Sequence, residues 1–210
     1  DGFWAPVKPT WGLDNRTASF RVIAGGAKST RLETRCPGAD VNPYLAMAAV
    51  IAAGLDGVEV MTHGHLLDQF ISPLTNHLEG AYGAQNLATR MQLTLDIIRA
   101  VRARVGDDFI VGVRYAPDEA QTGGITPDMG IEIGHMLKAT GQVDYLNINR
   151  GRIHTDAAMT DMIPIHGMKS SPHLDFAGRM RAEVGMPTFH AARIPDVATA
   201  RHAIATGQLD

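Results

Sequence analysis

Four short apolar runs in the second half of the chain each end in side chains able to do chemistry. GVEVM is followed by His63 and His65, and FIVGVRY ends in Arg114 and Tyr115. VDYLNIN leads into Asn147, Asn149 and Arg150, and MPTFHAAR carries His190 and Arg193. Imidazole and guanidinium groups can hydrogen-bond a substrate, hold its protons and stabilise developing negative charge. A second set lies near the N-terminus, where Arg16, Arg21, Lys28, Arg31 and Arg35 accompany a single carboxylate, Glu33. Each set has a plain alternative. Polar residues mark any place where a strand meets solvent, and an Arg-rich hairpin can simply carry solvated charges. For one strand end the plain alternative is the better one; four in succession favour a site.

For those strand ends to converge, the intervening segments must bring them to one face. Apolar residues Leu87, Met91, Leu95, Ile98, Val101 and Val105 step by three or four, which predicts a helix over 86–105. Further helices are predicted over 127–140, 173–184 and 196–206, with Gly106, Gly141 and Gly185 closing the first three. Short apolar strands alternating with such helices make parallel β/α units, and in a β/α barrel the C-terminal strand ends form the active face. A full barrel needs about 250 residues, whereas about 150 follow Gly57. The fold class expected is therefore α/β: a partial (β/α)8 TIM barrel of about four units over 56–210. Residues 1–55 differ in texture, with β-like runs ASFRVI and RLETRC and then a small α+β close. There Asn42 and Pro43 start a helix continued by Leu45 to Ala53.

The bulk composition is that of an ordinary globular chain, with 45% hydrophobic and 20% charged residues among 210. A formal charge of −3 gives no electrostatic reason to expect nucleic acid or an anionic membrane as partner. The single cysteine, Cys36, rules out an internal disulfide and suits a reducing compartment. No run is long enough to span a bilayer. The expectation is a soluble, cytoplasmic and incomplete chain acting on a small molecule. Unpaired strand edges would favour a homo-oligomer that covers them.

The sequence HGHLLDQFISPLTN from His63, with FIVGVRY, VDYLNINRGRIHTDAAMTDMIPIHGM and FHAARIPDVATA, resembles the flavin-dependent old yellow enzyme family. It is most similar to the trimethylamine dehydrogenase and N-methylproline demethylase-like branch, over residues 54–210. The resemblance implies FMN as cofactor, NAD(P)H as a reductant, and hydride transfer through flavin N5. By it, His63 would hydrogen-bond the substrate above the flavin. Arg114 would lie at the flavin N1/O2 edge, where a cation stabilises the anionic reduced ring. Ala192 and Arg193 would lie in the loop whose N–H groups hold the FMN phosphate. Many members have Tyr where this chain has His65, so His65 would be the proton donor if one is needed. The family segment YGGSLENR reads YGAQNLATR here. The early barrel strands and the last one have no counterpart. His77, His135, His166, His173 and His202 are expected to be surface or core residues.

Residues 12–59 resemble another family. NRTASFRV followed by AGGAKSTRLETRCPGADVNPYLAMAAVIAAGLDGVE is similar to the C-terminal catalytic segment of glutamine synthetase. The resemblance implies ATP with Mg or Mn, Arg16 and Arg21 toward the phosphates, and Lys28 and Arg31 on the nucleotide side. Glu33 would be one metal ligand and Arg35 would hold the glutamate carboxylate. A catalytic metal needs more ligands than one Glu. Both families share AAGLDG followed by an apolar residue and Glu, so the chain reads as a chimera joined in that octet. Three activities are open: an FMN-dependent oxidoreductase on an N-methylated amine or activated alkene, an ATP-dependent ligase forming an amide from glutamate, or a non-catalytic fragment.

Overall fold

The computed structural model describes residues 11–13, 20–24, 31–34 and 56–210. The chain divides into two compact units, Asp1–Val50 and Ile51–Asp210. In the first, β1 (Trp11–Leu13) lies parallel to β2 (Phe20–Ile23), and β2 pairs antiparallel with β3 (Arg31–Thr34). The runs ASFRVI and RLETRC thus supply the antiparallel pair, with Arg21 opposite Glu33. Arg16, Lys28, Arg35 and the Leu45–Ala53 helix lie outside the described residues.

The second unit holds β4 (Gly57–Met61), β5 (Ile110–Tyr115), β6 (Tyr145–Ile148) and β7 (Thr188–His190) in one parallel sheet, in sequence order. Between and after them run α1 (Leu66–Ile71), α2 (Leu87–Val105), α3 (Pro127–Ala139), α4 (Asp156–Met162), α5 (Leu174–Val184) and α6 (Val197–Ala205). Sequential parallel pairing with a helix at each crossover is the arrangement of consecutive barrel units. The strands are shorter than the apolar runs: residues 109, 143–144, 149, 186–187 and 191–193 belong to connections.

Local chemistry explains the helix limits. Asn86 accepts from the Thr89 N–H while the Thr89 hydroxyl accepts from the Asn86 N–H, a reciprocal cap on α2. Thr126 caps α3 just before Pro127, and Asp196 caps α6. Gly185 ends α5 in the left-handed region that a side chain would disfavour. The core lies between sheet and helices: Met91 and Ile98 of α2, Ile133 and Leu137 of α3 and Met180 and Val184 of α5 meet Val113, Leu146 and Ile148. Each such side chain contributes roughly 1.5–3 kcal/mol on burial.

At the N-terminal ends of the strands, Arg102 ties the bottom of the sheet. Its guanidinium donates to the carbonyls of Gly106, Phe109 and Gln142 and pairs with Asp144 at 2.7 Å. Asp144 in turn accepts from the Val111 N–H at 2.7 Å. That end is stapled for stability, and the opposite end is where the polar strand-end residues collect.

Candidate active face at the strand ends

Alternation along each strand decides which strand-end side chains look inward. Arg114 pairs across the sheet with Asn147, and Asn147 with Phe189, so these three stand on the inner, concave side. Their neighbours Tyr115, Ile148 and His190 stand on the helix side. Tyr115 donates its hydroxyl to the Gly130 carbonyl of α3, and burial pushes its pKa up. His190 meets the Ile148 carbonyl through Nδ1 at 2.7 Å and faces the ring of His173. The sequence grouped Tyr115 and His190 with the other strand-end residues; the sheet's parity turns both away from the concave side.

One row below Arg114, Glu59 is level with Gly112 and Tyr145. Its Oε1 lies 2.7 Å from Arg114 Nε, an ion pair not shaped as a linear hydrogen bond. Its Oε2 accepts from the Tyr145 hydroxyl at 3.1 Å and from Asn147 Nδ2 at 2.9 Å. The Tyr145 ring lies over Gly112, where a Cβ would collide with it, and stacks edge-on against Phe189 at 4.9 Å.

His63 follows β4 and is 4% exposed, with Nε2 at 2.7 Å from the Met162 sulfur of α4. Burial, then the charges of His65 and Arg114, lowers its pKa from 6.5 to about 4, so it is neutral at pH 7. His65 is exposed and stands at the N-cap of α1 with no side-chain cap bond. The two histidines therefore sit in unlike environments. Ala192 is buried, and Arg193 takes a positive φ of 51°. The Ser171 N–H and hydroxyl both donate to the Arg193 carbonyl, and its Nη1 donates to the Ile165 carbonyl. His63 Nδ1, Asn147 Oδ1 and Arg193 Nε are buried polar atoms with no hydrogen-bond partner among the described residues. Buried polar groups are nearly always satisfied, so this set asks for a polar ligand.

The loops above the strands are held by carboxylates that the sequence did not single out. Glu119, 2% exposed, accepts from the Ser72 hydroxyl at 2.7 Å and the Ile125 N–H at 2.8 Å and lies 3.4 Å from Arg152. Asp118 pairs with Arg150 at 2.9 Å, and Arg150 lies over the Phe176 ring. Asp68 is buried beside this network; burial first, then the charge of Glu119, raises its pKa to about 6. A cavity of about 220 Å³ is lined by residues that include Arg150, Asp161, Met168 and His173. His173, expected to be an ordinary core or surface histidine, is buried there with Nε2 on the Asp161 carbonyl. Only tertiary contacts could have shown these groups. No cluster of three or more metal-ligating side chains occurs among the described residues.

The second unit is thus a run of β/α barrel units whose polar groups gather at one end, and its relatives share that architecture. The old yellow enzyme homologue from Zymomonas mobilis superposes with a TM-score of 0.60 at 22% identity, covering 88% of this chain and 51% of that one. This likeness carries the fold. In sequence, the chain is 60% identical over 159 residues to a protein named probable N-methylproline demethylase of Rhizobium meliloti (strain 1021). That match takes in 76% of this chain and 23% of the relative. The family described as glutamine synthetase, catalytic domain, matches residues 1–100. Type-1 glutamine synthetase 2 of Dictyostelium discoideum is 62% identical over 58 residues, 28% of this chain and 11% of the relative. The chain spans about a quarter or less of the curated relatives it matches. Both resemblances are therefore present, side by side in one chain.

Proposed function

We propose that the barrel segment belongs to an FMN-dependent oxidoreductase that acts on an N-methylated amine. The observation that supports this most is the set of partnerless buried polar atoms on His63, Asn147 and Arg193, in a segment 60% identical to a probable N-methylproline demethylase. Donors and acceptors of that kind fit a ligand as rich in polar edges as FMN. Bound FMN would supply the two-electron redox chemistry that side chains lack.

In this reading the Arg114 guanidinium is the cation on the inner face beside the flavin ring, and Ala192 with Arg193 holds the phosphate. His63, neutral at pH 7, binds and orients the amine without adding a like charge beside it. His65, exposed at the start of α1, is the proton donor where one is needed. For the first unit, the glutamine synthetase likeness suggests ATP with Mg or Mn, with Arg31 and Glu33 in β3. It is the second reading, supported by the 62% identity over 58 residues.

The test is an FMN titration of the wild-type chain, His63→Ala and Arg114→Ala, read by flavin fluorescence. The expected outcome is saturable quenching by the wild type and at least tenfold weaker binding by Arg114→Ala. His63→Ala should retain FMN and lose the perturbation of the flavin spectrum by an N-methylated amine. Binding of ATP with Mg and none of FMN would transfer the proposal to the ligase.

A further inference from the structure

We infer that Glu59 is a positioning residue for Arg114, fixing the guanidinium on the inner face and moderating the positive charge it offers to a bound flavin. The inference rests on the flavin reading above and assigns a role to a residue one row below the strand ends. Glu59 divides its oxygens. Oε1 lies 2.7 Å from Arg114 Nε, and Oε2 takes the neutral donors Tyr145 Oη at 3.1 Å and Asn147 Nδ2 at 2.9 Å. The neutral donors orient the carboxylate without cancelling its charge, so that charge is directed at Arg114.

The surroundings are built for this arrangement. Tyr145 reaches Glu59 across β5 only because Gly112 has no side chain, and Phe189 braces the Tyr145 ring edge-on. Asn147 stands level with Arg114 and in hydrogen-bond reach of Glu59, closing the row above to the row below. Both charged groups are partly shielded from solvent, with side-chain exposures of 31% for Arg114 and 23% for Glu59, so screening is incomplete. A cation beside a reduced, anionic flavin ring stabilises it; a carboxylate behind the cation weakens that effect. Glu59 therefore sets the balance between oxidised and reduced flavin through Arg114.

The experiment measures affinity for oxidised FMN and for dithionite-reduced FMN, using the full chain as wild type, Glu59→Gln, Arg114→Ala and the double variant. Glu59→Gln is expected to raise the preference for reduced FMN about tenfold, equivalent to ~30 mV for a two-electron couple. In the Arg114→Ala background the same substitution should change that preference less than twofold. An unchanged preference in Glu59→Gln, or an equal effect with Arg114 absent, overturns the inference. If Glu59→Gln no longer melts cooperatively, Glu59→Asp serves instead, because it keeps the charge and withdraws it from Arg114. A shift of at least threefold in the same direction is then expected, and no shift overturns the inference. Flavin binding without these shifts sinks the inference alone; no flavin binding by the wild type sinks the flavin reading and the inference together.

Discussion

His63 and Asp68 lie five residues apart and titrate in opposite senses. The folded pKa of His63 is depressed from 6.5 to about 4, so the unfolded chain takes up the proton first. Its stabilising effect is complete above about pH 6.5 and is lost as pH falls toward 4, on the order of 3 kcal/mol. The folded pKa of Asp68 is raised from 3.8 to about 6, so its contribution is complete at low pH and is lost as pH rises through 6. Between pH 4 and 6 the two oppose each other, so single variants read each group better than the wild-type profile does. His63→Gln should gain on the wild type as pH falls from 6.5 to 4, and Asp68→Asn should gain as pH rises from 4 to 7. Thermal melts across that range check both; variants that run parallel to the wild type would contradict the assignment. His63 was legible in the sequence because a polar residue ended an apolar run. Asp68 was not, since its burial depends on the loop that carries Glu119.

Among the elements, α2 was legible because its apolar period and closing glycine agreed, and α2, α3, α5 and α6 all begin and end within a residue or two of expectation. Helices α1 and α4, of 6 and 7 residues, are too short to carry a period. The strand ends were located by residue type, but the inward set was not, because a one-residue difference such as Arg114 against Tyr115 reverses the side of the sheet. Glu59 went unseen for another reason: its partner Tyr145 is 86 residues away in sequence. At this scale Glu119 links α1 through Ser72, the β5–α3 loop through Ile125 and the β6–α4 loop through Arg152. Glu119→Ala leaves those donors unpaired and is predicted to cost about 2–4 kcal/mol. Urea unfolding measures it, and a loss below 1 kcal/mol would show that the loops hold without the carboxylate. Gly112→Ala should cost about 1–3 kcal/mol by displacing the Tyr145 ring, while leaving the helix content seen by circular dichroism unchanged.

For the whole molecule, two resemblances share one chain, and each takes in only a fraction of the relatives concerned. Among the described residues, β4 and β7 each pair on one side only, and Met61, Ile110 and Phe189 on the strands are large, apolar and exposed. Edges and apolar faces of that kind favour association. Light scattering is therefore predicted to give a mass above the 22.6 kDa of the single chain, and a stable monomer at micromolar concentration would contradict that. Among the described residues no helix is long and apolar enough to cross a membrane. Two dense motifs that meet at AAGLDG were legible in the sequence, whereas the placement of Arg16, Lys28 and Arg35 lies outside the described residues. The most direct test of the central claim is the FMN titration of the wild-type chain, with a thermal melt alongside. Saturable fluorescence quenching with a raised melting temperature is the predicted result; no quenching and an unchanged melt would contradict the flavin reading.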